Sequence, residues 1–105
     1  MVKEFTKSLD DEGHERMRVR LTITRGKLSD IVFQYESLID KKWVAIVRYD
    51  MAHSFFHRDV MKPNSDKVKT AIEIAGLQEA SIFAEQDIKD KWEFYRQRYI
   101  KLIKK

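Results

Sequence analysis

The sequence predicts an α+β fold: an antiparallel β-meander of five to six strands with one long C-terminal helix packed on one face. Three observations carry this. Apolar and polar residues alternate with a period of two through Arg16–Thr24. Turn-forming clusters separate the strand-like segments. From Leu77 to Lys104, apolar residues recur every three or four positions, the period of a helix with one buried stripe.

In chain order, Val2–Leu9 reads as a short strand, and Asp10-Asp11-Glu12-Gly13 as a turn in which Gly13 takes a positive φ. In the next strand Met17, Val19, Leu21 and Ile23 alternate with Arg16, Arg18, Arg20, Thr22 and Thr24. Arg25-Gly26-Lys27 turns the chain into a strand over Leu28–Leu38. A two-residue turn at Gly26-Lys27 would mix polar and apolar faces. One more loop residue pairs Leu21 with Ile31, Val19 with Phe33 and Met17 with Tyr35, and sets Arg18 against Gln34 and Arg16 against Glu36. That register is expected, because a slip by one residue would turn every side chain to the wrong face. After Asp40-Lys41-Lys42, Trp43–Asp50 forms a strand in which Trp43, Ala45, Val47 and Tyr49 alternate with Val44, Ile46, Arg48 and Asp50. Both faces begin apolar, as in a central strand or a dimer interface. Ser54–Met61, a turn at Pro63-Asn64-Ser65-Asp66, and a short strand over Lys69–Ala75 complete the sheet. The helix stripe is Leu77, Ala84, Ile88, Trp92, Tyr95, Tyr99 and Leu102, with Trp92, Tyr95 and Tyr99 as packing residues and Arg96 and Arg98 free for a partner. At 1.5 Å per residue it runs roughly 40 Å, so its last turns overhang and a homodimer is expected.

The 105 residues form a single domain, 1–75 sheet and 77–104 helix. Composition, 43% hydrophobic and 36% charged, is that of a globular chain. Cysteine is absent, which excludes disulfides, thiolate metal sites and a cysteine nucleophile. No apolar run spans a bilayer and the start lacks a signal-peptide core, so a cytoplasmic location without membrane association is expected. A formal charge of +4 favours anionic partners. Three widely spaced glycines leave no phosphate-binding loop, and neither a serine nucleophile elbow nor a calcium loop is present. No cofactor is implied.

Chemistry concentrates in Arg48–Asp59, which holds His53, His57, Arg48, Arg58, Asp50 and Asp59. Histidine oriented by aspartate serves as a general base, and an arginine stabilises a phosphorane, so His53, His57, Asp50 and Arg58 are the candidate catalytic residues of a metal-independent ribonuclease. No third His or Cys lies near in sequence. A His-His-Asp metal site is the lesser alternative to histidines hydrogen-bonded within the hairpin, and no metal is assigned. Arg16, Arg18 and Arg20, joined by Arg48, make an arginine-lined sheet face and are the candidate nucleic-acid-binding residues. Binding of RNA or DNA is the leading expectation. Ribonuclease activity and a protein–protein module are the alternatives.

The segments Arg48-Tyr49-Asp50, His53, His57-Arg58-Asp59, Asp87-Ile88-Lys89 and Trp92-x-x-Tyr95-Arg96 together resemble an uncharacterised family of small archaeal and bacterial proteins. The resemblance covers the chain from about Arg18 onward and implies no activity. A more distant likeness, on the Arg-Tyr-Asp segment and following histidines, is to TumE-type toxin–antitoxin proteins. It implies a protein partner, although this chain lacks their proline-rich and adjacent-histidine spacing and ends in a longer helix.

Overall fold

A computed structural model describes residues 1–51 and 55–103. The elements are β1 (Val2–Ser8), β2 (Glu15–Thr24), β3 (Lys27–Ile39), β4 (Lys42–Asp50), β5 (His57–Met61), β6 (Lys67–Ala71) and α1 (Leu77–Ile103). The strands form one antiparallel sheet in sequential order, and the helix packs on β3 and β4. The α+β expectation holds.

The expected β2–β3 register is present, with Leu21 opposite Ile31, Val19 opposite Phe33 and Met17 opposite Tyr35. The chain reaches it by another route. Arg25 and Gly26, at φ 55° and 75°, form a two-residue turn of the type that matches strand twist. Thr24 then faces Lys27, and a bulge at Ser29 shifts the pairing by one. The next hairpin uses Asp40 and Lys41 in the same way, at φ 51° and 66°.

A second bulge corrects the reading of β4. Tyr35 faces Val47 but Glu36 faces Ala45, so Ile46 is the extra residue. Strict alternation would place Trp43 and Ala45 with Val47 and Tyr49. The bulge instead turns Trp43 and Ala45 to the face away from the helix, where the Arg16 guanidinium lies 3.8 Å from the Trp43 ring centroid. Val47, Tyr49 and Ile46 are fully buried.

The last strands are shorter than expected. β5 starts at His57, and residues 52–54 lie outside the described part. β6 ends at Ala71, since its partner strand runs out at His57. Ile72 and Ile74 leave the ladder but still pack on the core.

Met17, Val19, Ile31, Phe33, Tyr35, Val47 and Tyr49 meet Ala80, Ala84, Ile88 and Tyr95 of the helix to form the core. Two polar contacts fasten the helix within it. Asp87, 8% exposed, accepts hydrogen bonds from the hydroxyls of Tyr49 and Tyr95, both at 2.5 Å. Buried Glu15 accepts one from the Tyr35 hydroxyl at 2.5 Å and lies 3.3 Å from Arg96 Nε. Arg96 therefore serves this fold and is not held in reserve for a partner. The outer side of the last turns is open, with Phe94 60% and Ile103 46% exposed.

Candidate functional site

Strand alternation decides which of the candidate residues meet. Arg18, Gln34 and Arg48 are aligned across β2, β3 and β4, and Arg20, Val32 and Asp50 form the next row. Thr6 and Glu4 extend these rows onto β1. All lie on the face away from the helix. All but Asp50 line a shallow groove of about 360 Å³ whose guanidinium groups come from Arg18, Arg20 and Arg48.

The arginines differ in how tightly they are held. Arg16 Nε is 2.7 Å from Glu36 and its guanidinium covers Trp43, so it anchors the sheet rim. Arg48 Nε is 2.7 Å from Asp50, and Arg48 also donates to Gln34 at 3.3 Å. Arg18 and Arg20 contact Glu36 and Glu4 at only 3.5 Å, and their side chains are 56% and 58% exposed. Pairs of that kind contribute about 0–1 kcal/mol and exchange readily for another anion.

The far end of the same face holds the acidic and histidine residues. Asp50 lies opposite His57, and Arg48 opposite Asp59. His57 is 1% exposed, with Nε2 at 2.9 Å from Asp50 Oδ1 and 3.6 Å from Asp59 Oδ2. Its Nδ1 lies 3.3 Å from the Phe55 carbonyl, and the Phe55 ring leans over it with centroids 5.2 Å apart. Lys67 reaches Asp59 at 3.5 Å from β6.

Of the expected catalytic set, the structure brings Asp50 and His57 together. His53 lies outside the described residues. Arg58 sits on the opposite face, because neighbours on a strand point to opposite sides. There its guanidinium donates to the Tyr95 hydroxyl at 3.3 Å and, more weakly, to the Tyr49 hydroxyl at 3.5 Å. Burial, then the hydrogen bond to Asp87, raises the Tyr49 phenol well above its ordinary pKa and pushes Tyr95 up to about 12.

The sequence places Asp59 in the cluster but not among the catalytic candidates, and it singles out Gln34 only as a register partner. Asp59 is two residues after His57, which on a strand places it on the same face, so its spacing was a usable signal. Gln34 carried none beyond its register partner, Arg18.

The molecule is thus a single antiparallel sheet backed by one helix, with an arginine-lined groove and a buried Asp–His–Asp group on the open face. The chain belongs to the family described as a domain of unknown function, DUF7718, whose model matches residues 1–105. No curated protein and no solved structure matches the chain. Among the described residues no helix is long and apolar enough to cross a membrane.

Proposed function

We propose that this protein binds single-stranded nucleic acid, RNA or DNA, through the open face of its sheet. The observation that supports this reading is the convergence of Arg18, Arg20 and Arg48 on one groove. A phosphodiester backbone laid along the groove would exchange the loose contacts of Arg18 and Arg20 for charge-assisted bonds to phosphate oxygens. Gln34, beside them, donates its amide to Glu36 at 2.6 Å and accepts from Arg48, and so fixes the spacing of these charges. Arg16 contributes indirectly, through Glu36.

The geometry lends less to a metal-independent ribonuclease. His57 is buried against two carboxylates and does not front the groove. A general base must come within hydrogen-bond reach of the hydroxyl it deprotonates.

The test is fluorescence anisotropy with labelled oligouridylate and oligothymidylate. Arg18→Ala/Arg20→Ala is compared with Arg25→Ala, which removes a turn arginine outside the groove. The double variant is expected to lose at least tenfold in affinity and Arg25→Ala less than twofold. Equal losses in both would make the binding nonspecific attraction to net charge.

A second reading has its own support. Phe94 and Leu102 line an apolar depression near the end of the helix, with Arg98 and Lys101 at its rim. We read this as the surface through which two copies associate. Sedimentation equilibrium checks it: Phe94→Glu should shift a dimer toward monomer.

A further inference from the structure

We propose that Asp50, His57 and Asp59 bind one divalent first-row transition cation, independently of any nucleic acid in the neighbouring groove. Cross-strand pairing places Asp50 against His57, and the two-residue spacing of His57 and Asp59 puts the third ligand on the same face. One ligand atom from each lies within 4.8 Å of the others, and all three residues are buried. Metal bonds of about 2.0–2.2 Å to nitrogen and oxygen set adjacent ligand atoms roughly 3.0–3.4 Å apart. The contacts from His57 Nε2, 2.9 Å to Asp50 and 3.6 Å to Asp59, bracket that spacing.

The surroundings supply further arguments. His57 Nδ1 is placed to donate to the Phe55 carbonyl, the outer hydrogen bond that orients metal-binding imidazoles and leaves the lone pair on Nε2. That lone pair would then face two carboxylates, an arrangement that calls for a positive charge between them. Arg48 steadies the Asp50 carboxylate from its other oxygen at 2.7 Å. Asp59 Oδ1 is buried without a hydrogen-bond partner among the described residues, while Lys67, half exposed, reaches only Oδ2 at 3.5 Å. A buried carboxylate oxygen left unpaired is costly, and a cation held by both Asp59 oxygens removes that cost. One imidazole with two carboxylates suits zinc, manganese or ferrous iron better than calcium or magnesium, which prefer oxygen alone.

The test uses the full chain after chelator treatment, titrated with Co²⁺ and Mn²⁺ without RNA. One ion per chain is expected, with affinity lowered at least tenfold in Asp59→Asn and unchanged in His14→Ala, which removes the exposed histidine near Glu12. Wild-type NMR decides the matter even should Asp59→Asn fail to fold: substoichiometric Mn²⁺ should broaden the His57 imidazole signals before those of His14. Folded wild type that binds neither ion, equal affinity in Asp59→Asn, or earlier broadening of His14 would overturn the proposal and leave a proton as the bridge between His57 and its carboxylates.

Discussion

Removing the carboxylate of Asp87 should loosen the helix from the sheet. Asp87 is buried, and its Oδ2 accepts hydrogen bonds from Tyr49 on β4 and Tyr95 one helical stretch further on. A hydrogen bond to a charged group contributes about 1.5–3 kcal/mol net, so the pair bounds the loss at about 3–6 kcal/mol. Relief of the carboxylate's own desolvation offsets part of this. We therefore expect Asp87→Ala to cost about 2–4 kcal/mol, a large fraction of the roughly 5–15 kcal/mol that holds a domain of this size together. Asp87→Asn keeps one acceptor and should cost about half as much. Urea unfolding followed by far-ultraviolet circular dichroism measures both. A double-mutant cycle with Tyr49→Phe isolates the shared bond, with a coupling of about 1 kcal/mol or more. Asp87→Ala within 0.5 kcal/mol of wild type would mean that Asp87 does not fasten the helix. So would additive behaviour with Tyr49→Phe.

Three further outcomes are expected. Lys41 holds a φ of 66° without being glycine, so Lys41→Gly should relieve strain and raise the melting temperature by several degrees, measured by calorimetry. The Tyr95 phenol is raised from its ordinary value to about 12 by burial and by Asp87. A raised pKa means stability that is intact below pH 10 and declines as pH climbs toward 12. Urea midpoints at pH 8 and pH 11 should therefore differ less in Tyr95→Phe than in wild type. Glu4 competes for Arg20 at 3.5 Å while 65% exposed, so Glu4→Gln should tighten oligonucleotide binding about two- to threefold in the anisotropy assay.

Most of the sheet was readable because its signals are local. Met17 to Ile23 alternate cleanly, and matching apolar faces left a single β2–β3 register acceptable. The helix was equally plain, since Leu77, Ala84, Ile88, Trp92, Tyr95, Tyr99 and Leu102 are all at least half-buried. Bulges were not legible. Ser29 and Ile46 carry no distinctive residue type, and each shifts a register without breaking the apolar pattern enough to show. The bulge at Ile46 turns Trp43 outward, where it meets Arg16.

The candidate site was legible in composition but not in sidedness. Arg58 was grouped with His57 by sequence proximity, although alternation alone separates adjacent strand residues. Arg96 looked uncommitted because its partner, Glu15, is on a distant strand. Asp87 gave no warning of its role, since a carboxylate in a helix stripe reads as a solvated position until two tyrosines are found facing it.

If Arg18, Arg20 and Arg48 meet phosphate on the open sheet face, as proposed, binding must weaken steeply with salt. Three phosphate contacts on a single strand give a slope of log affinity against log salt near about −2, so affinity should fall roughly sixteenfold from 50 to 200 mM salt. In Arg18→Ala/Arg20→Ala the slope should flatten to about −0.7, the value for one remaining contact. An unchanged slope in that variant, with the fold intact, would place the phosphate contacts elsewhere than on the open sheet face.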